Sequence, residues 1–187
     1  EETVRTLVLP AVADKLEKEL DNQEEKELLR DIELPLAEVL ADMENDGFEV
    51  DGRGIAEFGR LLQSRIEDIQ QQITAAVGYE FNLNSPKQLA KALFEDLGLP
   101  AKKKTKTGYS TNAEVLEKLV DKHPIVGQVM EYRVLTKLKS TYADGLLKVI
   151  GPDGRIRTTF QNLVTATGRL SSTDPNLQNI PVRTELG

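Results

Sequence analysis

Apolar residues recur every three or four positions along two long stretches, a pattern that predicts amphipathic helices. The first stretch covers residues 53–77 and stops before Gly78, and the second covers 124–149 and starts at Pro124, a residue favoured in the first turn. Each helix would be about 37 Å long at 1.5 Å per residue, so we expect them to pack as an antiparallel pair. The apolar stripes are Ile55, Phe58, Leu62, Ile66, Ile69, Ile73 and Val77, and Ile125, Val129, Tyr132, Leu135, Leu138, Tyr142, Leu146 and Val149.

Two shorter helices are predicted between the long ones. The sequences SPKQ at 85–88 and TNAE at 111–114 have the pattern of a capping box, with its polar first residue and its Gln or Glu three positions later. The first short helix would run to Gly98 and the second through Val120. The pattern therefore predicts a helix-loop-helix tip on a two-helix stalk. With little apolar area of its own, this tip should be held less firmly than the stalk.

The two ends of the chain follow different patterns. Two amphipathic helices are predicted at 10–29 and 31–46, with Gly47 as C-cap and an extended connector at 48–51. After a GPDG turn at 151–154, alternating residues at 155–160 predict a strand, and 162–166 is a candidate for a second strand. We therefore expect a mainly α fold with a small antiparallel β part. The apolar positions of the first two helices are Leu16, Leu20, Leu28 and Leu29, and Ile32, Leu36, Val39, Leu40 and Met43.

Charge is distributed unevenly along the chain. Residues 1–49 carry 16 Asp and Glu against 5 Lys and Arg, and residues 50–187 carry 15 against 19, so the net charge changes from −11 to +4. This asymmetry is typical of a polyanion-binding part beside an acidic neighbour, although an ordinary surface also fits it. The absence of cysteine excludes disulfides and thiolate metal sites and is compatible with a reducing cytoplasm. No apolar run is long enough to predict a transmembrane helix or a signal peptide.

Two segments hold candidate binding residues. KKKTKTGYST at 102–111 is the one concentrated basic run, and it is either a solvated loop or a phosphate-binding loop. TATGRLSSTDPNLQNIP at 165–181 is a turn-rich polar segment whose Arg, Asn and Gln side chains can read minor-groove acceptors, or it is a simple surface loop. The single histidine, His123, fits a helix-start residue better than a metal ligand. The scattered carboxylates of residues 1–49 fit solvated faces better than a two-metal nuclease remnant.

Several of these segments resemble the family A DNA polymerases, the bacterial DNA polymerase I group. They are residues 165–181, KKTKTGYST at 103–111, FNLNS at 81–85, EYR at 131–133 and LTKLKSTY at 135–142. The resemblance covers residues 31–187 and implies an internal fragment of a polymerase. Its parts would be the end of a preceding exonuclease-like domain (1–30), a connecting helix at the palm base (31–51), the thumb (52–150) and the start of the palm (151–187).

The resemblance also implies a function. The fragment would bind double-stranded primer-template DNA and contact the remaining palm and fingers of the polymerase in the bacterial cytoplasm, with no membrane partner. The full enzyme would be a Mg²⁺-dependent nucleotidyltransferase of DNA replication and repair. Its metal-binding aspartates are expected beyond residue 187, so we expect the fragment alone to be inactive, without catalytic or metal-binding residues. The alternative is a free-standing helical protein-interaction module without enzymatic activity.

The implied DNA-binding residues fall into three groups. The tip loops would hold the sugar-phosphate backbone, the second long helix would contact the template strand, and the polar segment would line the minor groove at the primer end, with the arginine sensing acceptors common to correct base pairs. In that order, the residues are Asn82, Ser85, Lys102, Lys103, Lys104, Lys106, Ser110 and Thr111; Arg133 and Lys137; and Arg169, Asn176, Gln178 and Asn179.

Overall fold

A computed structural model describes residues 2–101, 104, 105 and 108–181 of the chain, with side chains for 8–101 and 108–181. These residues form helices, π-helical turns and short strands. The helices are α1 (Glu2–Asn22), α2 (Lys26–Leu28), α3 (Leu34–Asp46), α4 (Gly52–Val77), α5 (Pro86–Ala90), α6 (Ala113–Glu117), α7 (Pro124–Leu138) and α8 (Asp144–Leu147). The π-helical turns are Leu29–Glu33, Lys91–Asp96 and Lys139–Ala143. The strands are β1 (Phe48–Glu49), β2 (Lys104–Thr105), β3 (Gly108–Tyr109), β4 (Arg155–Ile156), β5 (Thr159–Gln161) and β6 (Ser171–Thr173).

The chain divides into two compact units. Val50–Gly154 forms one, called here the central unit, and Glu1–Glu49 with Arg155–Gly187 forms the other, called the flanking unit. The ends of the central unit lie side by side, since the Val50 N–H donates to the Gly154 carbonyl over 3.1 Å. The expected fold class, mainly α with a small antiparallel β part, is confirmed.

The two long helices of the central unit form the expected antiparallel stalk. Arg65 on α4 bonds Glu131 on α7 over 2.8 Å. Gln72, further along α4, bonds Gln128, which lies earlier on α7, so the two helices run in opposite directions. Nearer the base, a Cβ at Gly59 would lie 3.2 Å from that of Ala143, so the helices touch there. The second helix ends at Leu147, two residues before the predicted end, and contains a π-helical turn.

The stalk helices begin and end at capping residues. The Asp51 carboxylate accepts from two backbone N–H groups at the start of α4, and Gly78 ends that helix in the left-handed region at φ +89°. His123 Nδ1 accepts from the Ile125 N–H over 3.1 Å, so the histidine caps α7, as a helix-start residue should. The end of α4 and the start of α7 therefore lie where the sequence predicted them.

One apolar cluster fills the central unit and includes the tip. The stalk contributes Leu62, Ile66, Ile69, Ile73, Ile125, Val126, Val129, Tyr132, Leu135 and Leu138, and the tip contributes Leu83, Leu89, Ala90, Leu93, Phe94, Leu99, Leu116 and Leu119. The prediction that the tip has little apolar area to anchor it is therefore wrong. The tip helices are short, but their buried faces continue the core of the stalk.

The two predicted capping boxes have different outcomes. Ser85 caps α5 as expected, although the Gln88 side chain accepts from the Asn82 N–H, at 2.7 Å, instead of the Ser85 N–H. Thr111 was expected to cap α6, but the N-cap is Asn112, whose side chain accepts from the Val115 N–H over 3.1 Å. Asn caps as well as Thr does, and Thr111 is occupied by Arg133.

The flanking unit differs from prediction at its helices. α1 occupies residues 2–22 instead of starting at residue 10, and residues 23–25 separate it from α2, which leads into a π-helical turn. Gly47 ends α3 with φ +65°, as expected. Of the nine apolar positions predicted for the two N-terminal helices, only Leu40 is buried. The periodicity thus identified helices, but not a buried face.

The strands of the flanking unit form two short antiparallel pairs. Phe48 of β1 pairs with Ile156 of β4, and Phe160 of β5 pairs with Ser172 of β6. The single strand predicted at 155–160 is thus two strands with different partners. The candidate strand at 162–166 is wrong, because Leu163 and Val164 are 83% and 70% exposed and no strand pairs with them. The partner of β5 lies later, inside the polar segment.

Candidate nucleic-acid interface

An open groove of about 1160 Å³ lies at the tip of the central unit. It brings together four of the predicted DNA-binding residues, from three separate parts of the chain: Ser85, Ser110, Thr111 and Arg133. The rest of its lining is Pro86, Lys87, Gln88, Ala90, Lys91, Glu95, Gly108, Tyr109 and Asn112. Hydroxyl groups and cations facing one concave surface are donors that suit a phosphate oxygen.

One wall of the groove is the start of α5. Ser85 is half-buried, and its Oγ accepts from the Gln88 N–H over 3.4 Å, so its own hydroxyl hydrogen is left to donate outward. Asn82 is exposed and does not line the groove, although it was predicted beside Ser85. Its Oδ1 accepts from the Asn84 N–H over 2.9 Å, which shapes the turn leading to α5.

The segment 110–112 forms another part of the groove lining. Ser110 is exposed, and its Oγ accepts weakly from the Asn112 N–H at 3.4 Å. Thr111 is 5% exposed, and both of its oxygens face Arg133. The guanidinium donates from Nη1 to the Thr111 carbonyl and from Nη2 to its Oγ1, the latter over 3.0 Å. Burial lowers the pKa of Arg133 from its usual value, since the half-buried cation is partly removed from water.

Lysines supply further positive charge. Lys87 is exposed on the groove wall, and the sequence interpretation missed it, although its place after the capped start at Ser85 and Pro86 was a signal. Lys91 also lines the groove but is paired with Asp96 over 2.9 Å. The predicted Lys102, Lys103 and Lys106 lie outside the described residues. Lys104 is described only in its backbone, which belongs to β2.

Lys137 lies one helical turn beyond Arg133 on α7. Its side chain is exposed and does not line the groove. The two cations were predicted to share a face, and the spacing of four residues places them so. They differ in surroundings, because Arg133 is half-buried and bonded to Thr111 whereas Lys137 faces solvent.

The predicted minor-groove residues lie in the flanking unit. Arg169 is exposed, and its carbonyl accepts from Thr165 Oγ1 over 2.5 Å, which closes the turn around Gly168. Gln178 Nε2 donates to the Leu170 carbonyl, and Asn176 Oδ1 accepts from the Gln178 N–H, each over 2.9 Å. The Gln178 side chain therefore holds Leu170, the neighbour of the exposed Arg169, while Asn176 shapes the turn that leads to Gln178. Asn179 is also exposed.

Two other kinds of site are absent from the described residues. They contain no group of three or more His, Asp or Glu side chains that could hold a metal ion. None of their helices combines the length and the apolar character that crossing a membrane requires.

Comparisons with known proteins give a consistent result. The family model described as DNA polymerase family A matches residues 53–187. DNA polymerase I of Bacillus subtilis is 50% identical over 184 residues, which are 98% of this chain and 21% of that protein. DNA polymerase I of Mycobacterium tuberculosis is 45% identical over 193 aligned residues, 100% of this chain and 21% of that protein. The chain thus spans about a fifth of the length of the relatives that it matches.

A solved structure also matches the fold. The POL domain of Pol1 from M. smegmatis, in complex with a DNA primer-template and dNTP, superposes with a TM-score of 0.84 at 44% sequence identity. The match covers 95% of this chain and 32% of that one.

Proposed function

Because the chain belongs to DNA polymerase family A, we propose that it holds the primer-template duplex for a polymerase of DNA replication and repair. The central unit would serve as the thumb, with residues 52–150 as its body. The flanking unit would supply the start of the palm (151–187), the connecting helix (31–51) and the end of an exonuclease-like domain (1–30). The alternative, a free-standing protein-interaction module, is not favoured, since the relatives compared above are named DNA polymerase I.

The tip groove is the observation that carries this proposal. Ser85 and Ser110 both line it, from separate parts of the chain, each with a hydroxyl hydrogen not used by the hydrogen bond that its oxygen accepts. Lys87 adds an exposed cation to the same surface. Hydroxyls and lysines of this kind contact phosphate without reading sequence. Lys102, Lys103, Lys104 and Lys106 would extend the positive charge from the loop between the tip helices.

Two further surfaces would complete the DNA contact. Lys137 would neutralise a template phosphate from the stalk. Arg169 would donate to minor-groove acceptors at the primer end, since it is exposed and its neighbour Leu170 is held by the Gln178 side chain. Asn179 would line the same surface.

The family of the chain supports a proposal for its wider setting. We place it in the bacterial cytoplasm, in contact with the remaining palm and fingers of the polymerase. Mg²⁺ would serve the complete nucleotidyltransferase.

Duplex binding at two salt concentrations tests the proposal. Replacing Lys102, Lys103, Lys104 and Lys106 with Ala should weaken binding to a fluorescein-labelled hairpin duplex. The slope of log K against log salt should fall by about 0.9 for each phosphate that a lysine no longer neutralises. A control variant removes the same charge elsewhere, with Ala at Lys15, Lys18, Lys26 and Lys148. Equal weakening in both variants would show general attraction to a polyanion, and unchanged binding in the first would remove the tip from the proposed site.

A further inference from the structure

Arg133 and Thr111 form the most enclosed polar contact of the groove. They are 22 residues apart in sequence, and Thr111 is one of the few buried polar residues among those described. Within the described part of the chain, the guanidinium donates only to this one residue, to its carbonyl and to its hydroxyl oxygen. Arg133 forms no ion pair there either.

The contact bears on the neighbours of Thr111. Ser110, just before it, presents an exposed hydroxyl to the groove, and Asn112, just after it, caps α6 through the Val115 N–H. A fork-shaped guanidinium that holds two oxygens of Thr111 restricts the backbone at that residue. It therefore limits the freedom of the residues on either side as well.

We infer that Arg133 is a positioning residue, which holds Thr111 and thereby fixes the segment 110–112 as a wall of the groove. This differs from a role as direct ligand of the template strand, and it rests on the proposed function of the groove. Ser110 makes the contact with phosphate, and Thr111 is the buried support through which Arg133 acts. Lys137, one turn away and exposed, is a direct phosphate ligand and so a matched control.

Amide exchange without DNA tests the positioning itself. Arg133→Ala and Thr111→Val should each speed exchange across residues 110–117 by roughly tenfold, because a hydrogen bond to a charged group is removed. Arg133→Lys should not restore protection, since a single ammonium cannot replace the planar fork. Thr111→Ser keeps both acceptor oxygens and should exchange like wild type, as should Lys137→Ala. Unchanged exchange in Arg133→Ala would overturn the inference.

Binding of the hairpin duplex separates the two roles. Lys137→Ala should lower the slope of log K against log salt by about 0.9, the value for one phosphate contact. Arg133→Ala should weaken binding without changing that slope, and its effect should not add to that of Thr111→Val. If Arg133→Ala lowers the slope like Lys137→Ala and adds to Thr111→Val, Arg133 is a direct ligand and the positioning role is wrong, while the proposed groove function still stands.

Failure of the proposed function has a different signature. Wild-type chain that does not bind the duplex even at low salt would remove the groove as a DNA site. The exchange experiment would then still decide whether Arg133 holds Thr111 in place.

Discussion

The two units of this chain are stabilised in different ways. The central unit buries one continuous apolar cluster that runs from the stalk into the tip. In the flanking unit, Leu40 and Ile156 are the only apolar side chains buried among the described residues. Polar contacts hold its elements together instead, such as the Phe160 N–H of β5 donating to Glu44 Oε1 of α3 over 2.6 Å and the Thr158 hydroxyl lying between the Thr173 and Pro175 carbonyls.

The difference shows what an amphipathic pattern does and does not predict. α4 and α7 carry apolar stripes that meet, and each covers the other. α1 is nearly as long as α4, yet Val8, Leu9, Val12 and Leu16 are all exposed. A helical period therefore predicts a helix, whereas burial depends on a partner with a matching face. All four tyrosines of the chain lie in the central unit, so tyrosine fluorescence reports on that unit alone.

The largest effect is expected from truncating the central core. Ile69 is fully buried, and Ile69→Ala should lower the free energy of unfolding by about 2–5 kcal/mol through reduced apolar burial and the cavity left behind. The measurement is a urea titration followed by tyrosine fluorescence. Ile32→Ala, at a position 56% exposed in the flanking unit, should change stability by less than about 0.5 kcal/mol, judged by amide exchange in α3. Similar destabilisation at both positions would remove the contrast between the units.

A pair of threonines sharpens the comparison. Thr158→Val should destabilise the flanking unit by about 1–3 kcal/mol, because two carbonyls lose the buried hydroxyl that they share. Thr136 in the central unit is the opposite case, since its buried Oγ1 has no hydrogen-bond partner among the described residues. Thr136→Val should be neutral or stabilising. Amide exchange in β5 and β6 measures the effect of Thr158→Val, and urea titration followed by tyrosine fluorescence measures that of Thr136→Val. If Thr158→Val stabilises the flanking unit, polar contacts do not hold that unit together.

The cap of α7 should contribute less than the core. His123→Ala removes the acceptor for the Ile125 N–H and should cost about 1 kcal/mol of stability in the central unit. His123→Asn supplies another good N-cap and should recover most of it. Urea midpoints measured by tyrosine fluorescence compare the stabilities of the two variants. If His123→Asn is as destabilised as His123→Ala, the imidazole has some role other than capping.

The smallest effect concerns a surface contact of the central unit. Hydrogen bonds from the Tyr79 hydroxyl and the Lys91 ammonium lower the pKa of the exposed Asp96 below its usual 3.8. Since the pKa of Asp96 is lower in the folded state, the contact contributes its full stabilisation above pH 3.8. That stabilisation is lost as the pH falls through the folded-state pKa of Asp96. Urea midpoints of wild type should therefore fall slightly more than those of Asp96→Asn in acid. Parallel curves for the two proteins would show that the contact adds nothing.

Local signals allowed most of the central unit to be predicted. Three features depend only on residues close by in the sequence and could be predicted from it. They are the apolar stripe of α4, the glycine that ends α4 and the serine that caps α5. The errors depend on distant partners. Asn112 is the cap of α6, whereas Thr111 bonds Arg133. β5 pairs with β6, which lies beyond the exposed loop where the sequence predicted a second strand.

The sequence predicted which residues line the candidate site better than it predicted how they contact one another. Resemblance to a family pointed to Ser85, Ser110, Thr111 and Arg133, and the fold brings these four to one groove. It did not point to Lys87, which lies on the same surface. It also could not show that Arg133 bonds Thr111, since that contact exists only when α7 packs beside the tip.

The side-by-side ends of the central unit have a consequence for how such a chain is built. β1 and β4 are neighbouring strands, yet the loop between them is a folded body whose first and last residues, Val50 and Gly154, share a hydrogen bond. A body with adjoining ends can be spliced into a hairpin turn, or cut out and replaced by a short one, without separating the strands that it interrupts. Once this body has folded, it also brings β1 close to β4. The entropic cost of pairing these strands across about a hundred residues then falls to that of closing a short turn.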